Sequence, residues 1–282
     1  MKPSLGTLVP LLWAGMILGA LAAPGRAEEP APAGGSAGDP AADPGRGPAL
    51  WKPAPPQEGW SFDVRGAFAS KYVNRGIDTV DDPVFQPSAT VGFNGFRAGV
   101  WANERLTDDG GRAGEFDEVD LAASYAWSWK AATFEAGAVY YLYPNSPSRP
   151  TTELFASAGL DVPLSPSLTV YQDVEEVGGA YVPLSLSHTF RDVWQPAREV
   201  RVSVGLQAAA AYGSSEYNEY YFGVPQSAID NALFGASLPL AFGDRLKVTP
   251  SANYSTLLDR DIRRAARRDD SLWFGLGLTW KF

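Results

Sequence analysis

Residues 272–282 read LWFGLGLTWKF and carry an apolar side chain at every second position from Leu272 to Phe282. Successive side chains of a β-strand point to opposite faces, so a period of two predicts a strand with one continuous apolar face. An amphipathic helix would instead need apolar residues three and four positions apart. This stretch therefore predicts a half-apolar strand over residues 272–282.

The same period recurs along the chain from Trp60 onward. Residues 119–127, for example, place Val, Leu, Ala, Tyr and Trp on one face and polar or small residues on the other. Each repeat has the length of one strand, which predicts an all-β protein. We predict twelve strands, centred on residues 60–68, 85–93, 96–102, 119–127, 134–142, 154–162, 168–170, 182–186, 200–208, 232–242, 246–254 and 272–282.

Short and long connections alternate between these strands. Residues 93–96 read FNGF, and Asn-Gly favours a two-residue hairpin turn. The alternation is typical of outer-membrane barrels, whose periplasmic turns are short and whose outer loops are long. An even strand number would place both ends of the chain in the periplasm. The predicted short connections are 93–96, 127–131, 163–167, 191–197 and 242–245, and the predicted long loops are 70–84, 105–116, 143–152, 173–180, 213–228 and 256–270.

A soluble β-sandwich or propeller would also show alternating strands. Three features favour a barrel in lipid: every segment keeps an apolar face, aromatic residues cluster at strand ends, and Phe282 closes an alternating strand in the manner of a barrel-assembly signal. The predicted fold class is an all-β, transmembrane antiparallel up-and-down β-barrel of about 12 strands. Pro183, Pro239 and Pro250 fall inside predicted strands, so they mark bulges or a strand count that is wrong by one hairpin.

The N-terminal part of the chain has a different composition from the rest. Lys2 precedes an uncharged, mostly apolar run over residues 8–23, and small residues follow, which is the pattern of a signal peptide. The run is short for a membrane-spanning helix. We predict a signal peptide over residues 1–27, a disordered Pro/Ala/Gly-rich periplasmic segment over 28–58, and the barrel over 59–282, located in the outer membrane.

Composition excludes several classes of function. The 282 residues include 23 Lys and Arg, 32 Asp and Glu, one His and no Cys, with a net charge of −9. The absence of Cys excludes disulfides, zinc ribbons and thiol chemistry, and a single His excludes multi-histidine metal sites. The acidic balance argues against a nucleic-acid partner. We expect no cofactor, no metal and no catalytic residues.

Charged residues lie on the face of the predicted strands that would line the barrel interior. Many other positions of this face are small, which leaves space and favours a channel over a plugged barrel. Acids outnumber bases on this face, which predicts a mild preference for cations. The candidate lumen-facing residues are Asp63, Arg65, Arg97, Glu118, Asp120, Glu135, Glu153, Asp173, Arg201 and Lys247.

Local sequence similarity suggests a family. Residues 60–190 resemble the TorF family of porin-like proteins, and the part around residues 217–224 (YNEYYFGV) more weakly resembles the MipA/OmpV family of scaffolding proteins. The resemblance implies an outer-membrane barrel with a porin role and no catalytic residues. The stretches that carry the TorF resemblance are 70–77 (SKYVNRGI), 83–88 (PVFQPS), 96–103 (FRAGVWAN), 115–120 (EFDEVD), 139–144 (VYYLYP) and 152–154 (TEL).

Four other features could carry chemistry. His188 could serve a lipid-acting barrel enzyme, but Ser185 and Ser187 have the opposite strand parity and would lie on the other face of the wall. Arg75 with Asp78, Asp81 and Asp82 suggests a cation site or, preferably, solvated loop charge. The arginines of 260–268 suggest lipopolysaccharide phosphate contacts or a self-paired loop, and the aromatic residues of 212–222 suggest a sugar platform, a constriction or simple loop packing.

The sequence therefore predicts an outer-membrane, porin-like channel for passive diffusion of small hydrophilic solutes. The alternatives are a structural or scaffolding barrel without a conducting pore and a barrel enzyme acting on lipids. The expected partners are outer-membrane lipid and lipopolysaccharide, the barrel-assembly machinery through Phe282, and small hydrophilic solutes.

Overall fold

The computed structural model describes Pro53 and residues 55–108 and 111–282. The predicted signal peptide and all of segment 28–58 except Pro53 and residues 55–58 lie outside the described residues. None of the helices within these ranges is long and apolar enough to cross a membrane.

The described residues form fifteen strands and two helices. The elements are β1 (Trp60–Ala69), β2 (Tyr72–Asn74), β3 (Ile77–Val80), β4 (Val84–Phe93), β5 (Phe96–Arg105), β6 (Phe116–Trp129), β7 (Ala132–Leu142), β8 (Thr151–Leu160), β9 (Ser167–Asp173), β10 (Ala180–Ala197), β11 (Val200–Gly213), α1 (Ser215–Phe222), β12 (Ala228–Ser237), β13 (Leu240–Phe242), β14 (Leu246–Leu257), α2 (Arg260–Ala265) and β15 (Asp270–Lys281).

Twelve antiparallel wall strands form a closed barrel. Each wall strand pairs with its neighbours in sequence, and β1 pairs with β15, so the wall has no free edge. β12 and β13 are two parts of one wall strand, since both lie between β11 and β14. The predicted all-β, twelve-stranded up-and-down barrel is confirmed. β2 and β3 stand apart from the wall as a separate two-stranded sheet.

The strand count is not changed by the prolines, and of the three only Pro239 lies at an interruption of a wall strand. Pro239 lies where β12 gives way to β13, and its carbonyl oxygen accepts a hydrogen bond from the Ser203 N–H. Pro250 stays inside β14, opposite Leu276 on β15. Pro183 stays inside β10, opposite Ala211 on β11. Each proline removes one N–H donor from the wall without ending the pairing on both sides of its strand.

The Asn94–Gly95 turn between β4 and β5 has the predicted hairpin geometry. Both residues have positive φ angles, 49° and 90°, as a type I′ turn requires. A β-carbon at Gly95 would lie 2.5 Å from the Ala126 carbonyl oxygen, so glycine is also required for space.

The prediction of a connection over residues 191–197 is wrong. These residues belong to β10, and the turn to β11 is formed by Arg198 and Glu199. Register shifts after Phe190 and Trp194 absorb the extra residues of β10 as bulges, so the pairing with β11 continues past Pro196.

The barrel has a short-turn end, with the connections 94–95, 130–131, 161–166, 198–199 and 243–245, and a long-loop end. Three of the long loops contain elements that the sequence did not predict: the β2–β3 hairpin, α1 and α2. At the short-turn end, Pro53 is buried, and its Cγ would lie 3.1 Å from a β-carbon at Gly159 on β8. The Gly59 N–H donates to the Asn94 side-chain oxygen at 2.8 Å, which holds the start of β1 against the first turn.

Candidate functional site

Five of the predicted lumen residues are buried. They are Glu118 and Asp120 on β6, Glu135 on β7, Glu153 on β8 and Asp173 on β9. Neighbouring residues along these strands are exposed on the outer surface of the closed wall, which places the buried carboxylates on its inner surface. Five carboxylates of one sign inside a barrel require cationic or hydrogen-bonding partners.

The other five predicted lumen residues lie in more open surroundings. Asp63 and Arg65 on β1, Arg97 on β5 and Lys247 on β14 are half-buried. The Arg97 Nη2 atom lies 3.6 Å from a carboxylate oxygen of Glu135. Arg201 is exposed near the short-turn end, where its Nη2 donates to Asp244 at 3.0 Å.

Asp173 accepts hydrogen bonds from the Thr151 hydroxyl and from backbone N–H groups of the loop that follows it. The partner of Glu153 comes from the β2–β3 hairpin, which folds into the barrel. On one side of it, Tyr72 and Val80 are buried in a cluster with Ala69, Val84 and the half-buried Trp101. These three wall residues belong to β1, β4 and β5. This side of the hairpin therefore packs against the wall strands next to its own attachment points.

The other side and the tip of the hairpin contact other parts of the wall. Val73 packs with Leu233 on β12 and Trp273 on β15. A β-carbon at Gly76 would lie 2.9 Å from the Asn231 Cβ, and the glycine has a φ angle of 83°. The hairpin thus contacts wall strands on several sides and fills the long-loop end of the barrel.

Arg75 occupies the tip of this hairpin with a φ angle of 51°. Its Nη1 and Nη2 atoms donate to the two carboxylate oxygens of Glu153 at 2.7 and 2.6 Å. The Tyr141 hydroxyl donates to the same carboxylate at 2.7 Å. The exposed fractions of the Arg75 and Glu153 side chains are only 5% and 6%, so this is a buried bidentate ion pair.

Three tyrosine rings surround the Arg75 guanidinium. Its Cζ atom lies 4.7 Å from the ring centroid of Tyr181, 4.9 Å from that of Tyr171 and 5.9 Å from that of Tyr217. All three distances are within the range of a cation–π interaction. We call Glu153 and these three tyrosines the guanidinium cage.

Electrostatics keep Arg75 charged in this position. Desolvation by burial lowers the pKa of the guanidinium, but the Coulombic attraction and hydrogen bonds of Glu153, with the help of neighbouring tyrosines, outweigh it and raise the pKa above its usual value. Glu118 and Asp120 lie close enough to feel the same positive charge. Glu118 and Asp120 lie two positions apart on β6 and also hydrogen-bond each other.

A second set of ion pairs fixes the outer part of the hairpin. The Lys71 ammonium lies 3.3 Å from Asp78 and 2.6 Å from Asp81, and Arg268 pairs with both acids. Asp78 also accepts a hydrogen bond from Ser271. The hydrogen bond from Lys71 lowers the pKa of Asp81, and the positive charges of Lys71 and Arg268 add to this effect. Two of the three loop acids considered as a cation site, Asp78 and Asp81, are therefore paired with basic side chains.

The aromatic loop forms helix α1. Ser214 caps its N-terminus by accepting a hydrogen bond from the Tyr217 N–H at 3.3 Å, and Gly223 ends it with a φ angle of 68°. Tyr217 is buried against Tyr181 inside the barrel, while Tyr220 and Tyr221 remain exposed. The helix thus supplies one ring of the guanidinium cage.

The sequence indicates Arg75 as a charged residue of a long loop and Glu153 as a lumen-facing residue, but it does not show that the two form an ion pair. A usable signal was the Asn74–Arg75–Gly76 stretch between Val73 and Ile77, which has the glycine of a two-residue hairpin turn. Nothing in that stretch indicates that the hairpin points into the barrel.

A family model described as "Bacterial protein of unknown function (Gcw_chp)" matches residues 54–224, more than half of the chain. The chain belongs to the Gcw_chp family. The match covers β1 through α1 and so includes the hairpin and every residue of the guanidinium cage. The TorF and MipA/OmpV resemblances are not confirmed. No curated protein matches the chain.

Several solved outer-membrane barrels have a similar fold. The NanC porin is 14% identical with a TM-score of 0.47, over 78% of this chain and 100% of that chain. The KdgM porin is 12% identical with a TM-score of 0.47, over 79% and 99%. The COG4313 outer membrane channel from Pseudomonas putida F1 is 7% identical with a TM-score of 0.45, over 80% and 97%. At these values the similarities support no statement about a shared solute.

Proposed function

We propose that this Gcw_chp protein is an outer-membrane, porin-like channel that lets small hydrophilic solutes diffuse passively. The observation that carries the proposal is a closed wall with an apolar outside and a polar inside. Large apolar side chains such as Leu121, Leu154, Phe234 and Phe274 are exposed on the outer surface. A water-soluble protein rarely exposes apolar patches on this scale, whereas a barrel in lipid requires them.

Aromatic side chains at the short-turn end support a position in a membrane. Trp60, Phe96, Trp129 and Phe282 are exposed there, with Trp60 at 77% exposure. Exposed Trp and Phe rings at the ends of wall strands match the aromatic band that outer-membrane barrels place at the lipid–water interface.

The chemistry of the inner surface supports hydrophilic solutes. Gln86, Ser157, Thr249 and Asn253 are buried there together with the acids described above. Glycines are frequent on the same face, as at positions 275 and 277 of β15. Because these polar side chains are buried in this structure, they would contact water and polar solutes only in an open state of the barrel.

The β2–β3 hairpin makes this proposed channel a gated one. It fills the long-loop end, so a solute must displace it to pass. Its strongest attachment to the far wall is the Arg75–Glu153 pair. We infer that the docked hairpin is the closed state and that opening begins when this pair separates.

The proposal includes the surroundings of the barrel. We infer export by the signal peptide over residues 1–27, insertion by the barrel-assembly machinery through the Phe282 strand, and contact with outer-membrane lipid and lipopolysaccharide. In the α2 loop, Arg263 pairs with Asp269 at 2.6 Å and Arg264 with Asp261 at 3.4 Å. These arginines are therefore partly neutralised, which weakens a phosphate-binding role for that loop.

Liposome swelling tests the proposal directly. Purified full-length protein is reconstituted and the influx of neutral sugars of increasing size is measured. The proposal predicts influx that falls with solute size and rises in Arg75→Ala, with Arg149→Ala as a matched control because that arginine is 79% exposed. No influx through folded wild type and folded Arg75→Ala would contradict the channel.

The filled long-loop end is the observation that favours the scaffolding alternative. A barrel sealed permanently by its hairpin would show no influx in either protein. The enzyme alternative finds less support, because His188 pairs opposite Leu206, which is exposed on the outer surface, whereas Ser187 pairs opposite Gln207 on the other face.

A further inference from the structure

The guanidinium cage binds a cation in this structure, and that cation is a side chain of the protein itself. Glu153 accepts two hydrogen bonds from the Arg75 guanidinium, and the rings of Tyr171, Tyr181 and Tyr217 surround it. A carboxylate that engages two N–H donors, inside an aromatic enclosure, is the arrangement that recognises guanidinium and ammonium groups.

Two further carboxyl groups are buried on the wall beside the cage. Glu118 and Asp120 lie two positions apart on β6, share a hydrogen bond with each other, and are close enough to Arg75 to be attracted by its charge. Two adjacent buried carboxyls do not both ionise, so Glu153 is the principal anion of the cage. If Arg75 leaves, Glu153 is left buried without its cation, and a cation that fits the cage can replace it.

Arg75 belongs to an element that is attached to the wall by side chains and not by strand pairing, so it can move without breaking the wall. The residue sits at the tip of a hairpin whose strands of three and four residues pair only with each other. Its left-handed backbone conformation, at φ 51°, is an unfavourable one for a side chain other than glycine. The cage residues, by contrast, belong to wall strands β8, β9 and β10 and to the capped helix α1.

We propose that the guanidinium cage is the recognition site for solutes that carry a guanidinium or primary ammonium group, and that Arg75 is a built-in competitor for it. This inference rests on the proposed channel function and names its solute class. A cationic solute that enters the cage takes the place of Arg75, releases the β2–β3 hairpin and opens its own path.

Two consequences distinguish the proposal from a permanent structural pair. First, guanidinium should bind better than ammonium, because its planar fork can engage both oxygens of Glu153 at once. Second, removing Arg75 should strengthen solute binding, because the apparent affinity for a site is reduced by the fraction of molecules in which the site is free. A hairpin docked in about nine molecules of ten lowers the affinity about tenfold.

The test is isothermal titration of the folded full-length barrel in detergent with ethylguanidinium chloride. Ethylammonium chloride and sodium propionate serve as comparison probes. The proposal predicts that ethylguanidinium binds more tightly than ethylammonium, that propionate does not bind, and that Arg75→Ala binds ethylguanidinium about tenfold more tightly or better. Glu153→Gln should lose binding, and Arg149→Ala should match the wild type.

Variants that keep heat-modifiable migration on gels are folded. The comparison of ethylguanidinium with ethylammonium uses the wild-type protein and so does not depend on the folding of any variant. Equal or weaker binding of ethylguanidinium by folded Arg75→Ala would overturn the proposal, as would binding that Glu153→Gln leaves unchanged. Swelling assays distinguish a failure of the cage proposal from a failure of the channel proposal. Sugar influx without ethylguanidinium binding refutes the cage and leaves the channel standing, while binding without influx in any variant refutes the channel and retains the cation site.

Discussion

Replacing Arg75 with alanine should release the β2–β3 hairpin from the barrel interior. The change removes both hydrogen bonds to Glu153 and leaves that carboxylate buried without its cation whenever the hairpin is docked. Breaking a buried ion pair in this way costs about 3–5 kcal/mol. Since 1.4 kcal/mol is a factor of ten, the equilibrium between docked and released hairpin should shift by between about 10²- and 4 × 10³-fold.

A single cysteine measures this shift, because the chain contains no natural cysteine. Val73 is buried on the hairpin, so Val73→Cys should react slowly with a small maleimide in the otherwise native barrel. In the Val73→Cys/Arg75→Ala double variant the labelling rate should approach that of a fully exposed cysteine, about tenfold or more above the rate in the otherwise native barrel.

The matched control is Val73→Cys/Arg149→Ala. Arg149 lies in a long loop and pairs with Glu176 at 3.5 Å on the surface, where an ion pair contributes about 0–1 kcal/mol. Its loss should change the labelling rate less than about fivefold. If the Arg75→Ala and Arg149→Ala variants label at the same rate, the reasoning about the hairpin attachment is refuted.

Four other outcomes are expected. Gly95→Ala should lower the yield of folded, heat-modifiable barrel, because a β-carbon at that positive-φ position would approach the Ala126 carbonyl oxygen; an unchanged yield would show that the turn tolerates the strain. Phe282→Ser should reduce membrane insertion and increase periplasmic degradation, which fractionation and immunoblotting would detect. A cysteine at Ser215 should label on intact cells and one at Asp244 should not, since they lie at opposite ends of the barrel; the reverse result would invert the topology. The docked hairpin holds the pKa of Asp81 below its ordinary value, so the stabilisation from the ion pairs of Asp81 is present at neutral pH and is lost as the pH falls below about 4. Below that pH the cysteine of Val73→Cys should react faster with 2,2′-dithiodipyridine. The increase in rate that comes from protonation of Asp81 should be absent when Asp81→Asn is added.

The wall of the barrel was predictable because its signal is local and repeated. The alternation over residues 272–282 marks β15, and the Asn94–Gly95 pair marks the turn between β4 and β5. The same parity assigned Glu118, Asp120 and Glu153 to one face of their strands. These predictions depend only on side-chain period and turn chemistry, which a sequence displays directly.

The guanidinium cage was not predictable in the same way. Arg75 and Glu153 are separated by 78 positions, and no local pattern indicates that a hairpin within a long loop will turn inward to join them. Helix α1 has one buried tyrosine and no apolar stripe, so its sequence lacks the usual helical periodicity. Only the capping residues Ser214 and Gly223 indicate a helix there. The extension of β10 was missed because Pro196 resembles a strand terminator while bulges keep the strand paired.

Planar-bilayer recording of the folded full-length protein in a KCl gradient shows whether this barrel conducts and whether the β2–β3 hairpin closes it. We expect discrete current steps and a reversal potential with a mild preference for cations that weakens at high salt. We also expect a clearly higher open probability in Arg75→Ala than in wild type or Arg149→Ala. Silence in all three folded proteins, or equal open probability in wild type and Arg75→Ala, would contradict the proposed gated channel.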